Sequence, residues 1–154
     1  MTAMKHYSDA ARAQPETALA DFNEAVRSQP EDALAHFKLA SALAALDRRT
    51  EALQSLAHAV ALKTSFWEAR YLLGVELAAQ GKLREAQEQF AEVVRLHPDF
   101  ALAHLNLGVA LAKQSLLSEA AAHFRETLRL QPTNQLAKQF LQTLQTITNA
   151  PPRR

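Results

Sequence analysis

The sequence predicts an all-α chain built as an α-solenoid of antiparallel helical hairpins, and three observations carry that expectation. The first is a repeat. Pro30, Pro98 and Pro132 stand 68 and 34 residues apart, with Thr64 at the missing 34-residue step, and periods of about 20 to 50 residues are the signature of stacked supersecondary units. The second is the pattern inside each period, where apolar residues recur at i, i+1 and i+4, then at i+4 and i+7. Those spacings set a stripe along one helix face. The third is composition. Among 154 residues, 48% are hydrophobic and 21% charged, with only 3 Gly and 6 Pro. That is enough apolar surface for a core and too few turn formers for a chain of many short strands. Ala and Leu dominate, which favours helix.

Taken in order, residues 3–28 are expected to form a degenerate N-terminal helix pair. The stretch 15–30, PETALADFNEAVRSQP, carries Ala18, Phe22 and Ala25 at the spacing of a second hairpin helix, and Pro15 suits a first turn. Residues 3–13 have helical composition but fall out of register. Full hairpins follow at 33–66, 67–100 and 101–134, the last two matching at 15 of 34 positions without a gap. Their first helices carry Leu39-Ala40…Leu43, Leu73-Gly74…Leu77 and Leu107-Gly108…Leu111. Their second helices carry Ala52…Leu56…Ala59, Ala86…Phe90…Val93 and Ala120…Phe124…Thr127.

Ala40, Gly74 and Gly108 are expected to face Ala52, Ala86 and Ala120, so that two helix axes approach closely. At the turns, Gly81 takes a left-handed conformation readily, Asp47 less well, and Ser115 is the poorest terminator, so its turn is expected to be looser. Residues 135–148, with Leu136, Phe140, Leu144 and Ile147 on one side, read as a capping helix that faces water on its outside. The last residues, 149–154, read as a disordered tail.

This pattern closely resembles the tetratricopeptide repeat family. In that family the first helix carries an aromatic, then Leu-Gly, then an aromatic, and the second carries Ala, Phe and Ala before a closing Pro. Residues 33–134 follow it in full repeats. They depart at the first aromatic position (His36, Arg70, His104), at the second (Leu43, Leu77, Leu111) and at Thr64. The resemblance implies a right-handed superhelix whose concave groove receives peptides or partner helices. It assigns to that groove Leu34, Phe37, Ser41 and Ala44, then Glu68, Tyr71, Val75 and Ala78, then Leu102, Leu105, Val109 and Ala112. Lys38, Glu68, Asn106 and Lys113 add polar points at its rim.

Phe37, Tyr71 and Leu105 share one repeat position and are expected to form a row of ligand contacts, whereas Val75, Val109 and the alanines are expected to pack between repeats. Some family members clamp the C-terminal carboxylates of chaperones with a basic residue and Asn on the first such helix and Lys and Arg on the third. Here those places hold Phe37 and Ser41, then Leu102 and Asn106. The expected partner is therefore a protein or peptide offering an apolar or amphipathic segment.

Other classes are disfavoured. A net charge of +1, from 17 basic and 16 acidic residues, offers no bulk attraction to nucleic acid. The chain has no cysteine, hence no thiolate metal site and no Cys nucleophile. No signal-peptide core and no apolar run of membrane-spanning length is present, so no membrane insertion and a cytoplasmic location are expected. Six histidines include no i, i+4 pair and no HExxH. His36 and His104 share one repeat position and are expected to pack between helices with a wet polar edge. Glu51, Glu85 and Glu119 recur one repeat apart, as suits the positive end of a helix. No cofactor, metal or catalytic residue is expected. The reading is non-catalytic protein recognition; the alternative is a self-associating homo-oligomer or a scaffold segment of a longer protein.

Overall fold

Eight helices and no strand occupy the described residues, 14–148, of this computed structural model. They are α1 Pro15–Ser28, α2 Ala33–Ala45, α3 Arg49–Leu62, α4 Trp67–Ala79, α5 Leu83–Leu96, α6 Ala101–Lys113, α7 Leu117–Leu130 and α8 Gln135–Thr148. The expectations for residues 3–13 and 149–154 lie outside the described residues. Contacts divide the chain into two units, Met1–Glu76 and Leu77–Arg154. In each, successive helices pack as antiparallel neighbours: α1 on α2 and α2 on α3 in the first, α5 on α6, α6 on α7 and α7 on α8 in the second.

The hairpin turns share one geometry. Asp47, Gly81 and Ser115 all sit in the left-handed region, at φ 57°, 76° and 64°. The next N–H reaches back across each turn in the same way, from Arg48 to Leu43 O at 2.9 Å, Lys82 to Leu77 O at 2.9 Å and Leu116 to Leu111 O at 3.0 Å. The Ser115 turn is thus no looser than the others. Hydrogen bonds to the end of the preceding helix hold it in place against the preference of its side chain. A non-glycine residue held there costs about 1–2 kcal/mol. Ser115→Gly is accordingly expected to stabilise the chain by about 1 kcal/mol, part of the relief being lost to the freer unfolded chain. A raised urea midpoint would measure it.

The connections between hairpins also repeat. The N–H groups of Asp32, Phe66, Phe100 and Asn134 donate to the carbonyls of Gln29, Lys63, His97 and Gln131 at 3.0–3.1 Å. Pro30, Pro98 and Pro132 take the second position of these turns, where a fixed φ is an advantage. Thr64 forms the same turn without one. The second helices have already ended at Lys63, His97 and Gln131, whose N–H groups bond four residues back. Proline therefore shapes the turn after the helix rather than ending it.

The core of the first unit gathers Leu39, Leu43 and Ala52, with Leu19, Phe22 and Val26 of α1 packed against them. In the second, Phe90, Leu111, Phe124 and Thr127 are among the most deeply buried side chains. Gly108 faces a different neighbour from the one the sequence suggests. A Cβ at this position would come within 2.6 Å of Phe124 Cε1. The glycine makes room for an aromatic ring, not for a second small residue. Phe124 in turn stacks on Phe140 of α8, with centroids 5.0 Å apart and planes 14° apart. The buried side of α8 is Ala137 and Leu144, while Leu136 and Ile147 are more than half exposed. The stripe expected through Leu136 and Ile147 is rotated, because α8 docks by the register of a hairpin's first helix, in which Ala137 matches Ala103 and Leu144 matches Ala110 one period back.

Candidate interaction surface

The first helices of the hairpins, α2, α4 and α6, carry the residues expected to meet a partner. Within the first unit, Leu34, Lys38 and Ser41 of α2 and Glu68, Tyr71 and Val75 of α4 are half-buried. The Ser41 hydroxyl donates to Phe37 O at 3.0 Å, so it is spent on its own helix. Within the second unit, Asn106 and Val109 of α6 are half-buried, Lys113 is exposed, and Leu102 keeps 40% of its surface open.

The row of Phe37, Tyr71 and Leu105 does not stand open. Phe37 is 3% exposed and Leu105 is 6% exposed. The Phe37 ring lies against Phe66, in the connection before α4, with centroids 5.0 Å apart. In the fold as it stands, Tyr71 alone of the three has surface to offer. A signal for this was present, since Phe66 and Phe100 recur one period apart at the end of their blocks.

The residues at the first aromatic position have a shared task that the sequence did not reveal. Each reaches back six residues to a carbonyl of the preceding connection. His36 Nε2 lies 2.9 Å from Pro30 O, Arg70 Nε donates to Thr64 O at 2.8 Å, and His104 Nε2 lies 3.0 Å from Pro98 O. They tie the connection to the helix that follows it. The expectation of a wet polar edge fails for His104, which is 6% exposed. Its other nitrogen, Nδ1, lies 3.1 Å from Nδ1 of His123. His36 meets His58 differently, by stacking at 5.4 Å.

Two polar residues escaped notice in the sequence. Gln114 Nε2 donates to Gln87 Oε1 at 2.9 Å and to Ala110 O at 3.1 Å, joining α6 to α5. It lines an open hollow of about 560 Å³ with Arg84, Gln87, Glu88 and Leu116. Its recurrence with Gln80 was the available clue. Glu76 occupies the repeat position that Ala42 and Ala110 fill as buried residues. Its Oε2 is buried without a hydrogen bond, 3.6 Å from Nη1 of Arg49.

Surface ion pairs lie along the second helices or at their starts. Arg48 with Glu51, Arg95 with Glu92 and Arg129 with Glu126 all meet at 2.6–2.7 Å. The arginine hydrogen bonds hold the Glu51 and Glu126 carboxyls below their ordinary range. Such exposed pairs contribute little to stability. Glu51, Glu85 and Glu119 each fall in a first helical turn. Among the described residues no group of three or more His, Cys, Asp or Glu is placed to hold a metal ion, and no helix is long and apolar enough to cross a membrane.

The sequence pattern of the tetratricopeptide repeat matches residues 5–65 and 67–135. The chain belongs to the tetratricopeptide repeat family. Solved structures agree on the all-α solenoid fold. A tetratricopeptide repeat protein, YrrB, described as having an unusual peptide-binding site, is 31% identical, with 84% of this chain and 67% of that one covered at a TM-score of 0.76. MamA is 27% identical over 77% of this chain and 69% of that one, at a TM-score of 0.73. Residues 41 to the end of MamA from Desulfovibrio magneticus RS-1 share 23% identity over 94% of this chain and 84% of that one, and their TM-score of 0.84 speaks for the fold alone. No curated protein matches the sequence.

Tetratricopeptide repeats serve in general as non-catalytic interaction modules.

Proposed function

We propose that this tetratricopeptide repeat protein is a non-catalytic recognition module that binds an apolar or amphipathic protein segment on the faces of its first helices. One observation carries the reading. The repeat position of Leu34, Glu68 and Leu102 is never fully buried: Leu34 and Glu68 are half-buried, Leu102 is 40% exposed, and Leu136, one period further on, is 54% exposed at the same register. Three of these four residues are leucines. Large apolar side chains left at least partly open at one recurring position are what a docking segment needs and what water disfavours. The peptide-binding site described for YrrB, at 31% identity, supports the same use of the fold.

Within this reading Leu34, Glu68, Tyr71, Val75, Leu102, Asn106 and Val109 meet the partner, Val75 and Val109 through the part of their surface that packing between repeats leaves open, with Lys38 and Lys113 at the margins. Ser41 adds little polarity. Phe37 and Leu105 hold the helices that present the others. Aromatic anchors often carry a large share of binding energy. Tyr71→Ala is therefore expected to lower affinity for a peptide selected on the wild-type chain by tenfold or more, about 1.4 kcal/mol. Calorimetric titration would measure it. The same change is expected to shift the urea midpoint less than the core substitution Leu107→Ala. A variant that binds normally would remove Tyr71 from the surface used.

A further inference from the structure

His104 and His123 meet nitrogen to nitrogen between α6 and α7, and the hydrogen-bond geometry fixes where their protons sit. His104 Nε2 faces the carbonyl oxygen of Pro98 at 3.0 Å, so Nε2 carries the proton. In the neutral ring Nδ1 is then an acceptor. His123 Nδ1 lies 3.1 Å from it and must be the donor. The ring centroids, 5.3 Å apart, fall nearly on the line through those two nitrogens. Head-on lone pairs of this kind suit a proton between them and leave no room for a metal ion chelated by both.

We infer that His104 and His123 form a one-proton clasp joining α6 to α7, which holds while one proton lies on the Nδ1···Nδ1 line and opens when both rings are protonated. A proton added at His123 Nε2 leaves the clasp intact. A further proton at His104 Nδ1 sets two N–H groups against each other at hydrogen-bond distance and puts two positive charges side by side. The folded pair therefore accepts at most one proton where the unfolded chain accepts two.

Burial, and after it the charge of His104, pull His123 below the ordinary histidine range, while Glu119 and Glu126 on its own helix pull the other way. Glu126 is itself held by Arg129. Of the helices packed on this hairpin, α8 carries only Lys138, and α5 carries Arg84, Glu85, Glu88, Glu92 and Arg95. None of these is among the causes of the His123 shift. Because the folded pair takes up one proton fewer than the unfolded chain, the clasp contributes fully above the ordinary histidine range, and its contribution is lost as pH falls through and below that range. Because α6 also presents Leu102 and Val109, an opened clasp would loosen part of the recognition face. That consequence rests on the proposed function; the clasp itself does not.

The test compares urea melts of the full chain and of His123→Gln between about pH 7.5 and about pH 5. A glutamine amide donates to neutral His104 and, turned over, accepts from the protonated ring, so it does not sense the second proton. The wild type is expected to lose folding equilibrium constant more steeply in acid than the variant, by about tenfold per pH unit below the ordinary histidine range. Parallel curves would overturn the clasp. Nitrogen-15 spectra of the wild type provide a reading that does not depend on the variant. They are expected to show the Nε2–H tautomer for His104 and the Nδ1–H tautomer for His123. Finding His123 as the Nε2–H tautomer, or both rings fully protonated in an intact hairpin, would equally refute it.

Discussion

Phe124→Ala is expected to lower stability by about 3–5 kcal/mol, the range for emptying a buried aromatic site. Phe124 is 0% exposed, stacks on Phe140 and fills the space that Gly108 leaves on α6. Its removal therefore loosens two contacts at once, α6 on α7 and α7 on α8. Repeat arrays are held largely by nearest-neighbour interfaces. The loss should accordingly be concentrated near the C-terminal end, with hydrogen-exchange protection of α7 and α8 falling before that of α2 and α3. The complementary change, Gly108→Leu, drives a side chain into the same ring and is expected to destabilise by overpacking. Urea melts of both variants would check the account. If Gly108→Leu were harmless, the close approach to Phe124 would be wrong.

Leu107→Ala is expected to cost about 2–5 kcal/mol. Leu107 is 4% exposed on α6, and its counterparts Leu39 and Leu73 are 8% and 7% exposed. The position is thus buried in all three hairpins, and truncating it leaves a cavity that two packed helices cannot easily close. An unchanged urea midpoint would mean that the apolar stripe of α6 faces elsewhere.

The helical hairpins could be read from the sequence because the physics that forms them is periodic. Leu39, Leu73 and Leu107 recur with their neighbours, and every copy repeats the same burial. What escaped the reading was what side chains do across helices. Nothing in the spacing says that Gly108 serves Phe124 rather than Ala120, because the contact joins positions on two helices in a register that only packing defines. Phe37 shows the same limit. Its repeat position suggests an open face, yet Phe66 from a connection folds against it. Ser115 shows the reverse case. A weak local preference for the left-handed turn is overridden by the hydrogen bond from Leu116 to Leu111 and by the packing of the two helices it joins. His104 was legible as a packed residue but not as a buried hydrogen-bonding partner, since His123 lies 19 positions away on the facing helix.

The central claim, recognition through the faces of the first helices, is tested most directly by amide chemical-shift mapping. A peptide selected from a random library on the immobilised chain would be titrated into the isotope-labelled protein. The account predicts shifts clustered on α2, α4 and α6 at Leu34, Glu68, Tyr71, Val75, Leu102 and Val109, with α3, α5 and α7 largely unmoved. Shifts concentrated on α3, α5 and α7 instead, or a library that yields no binding peptide, would contradict it.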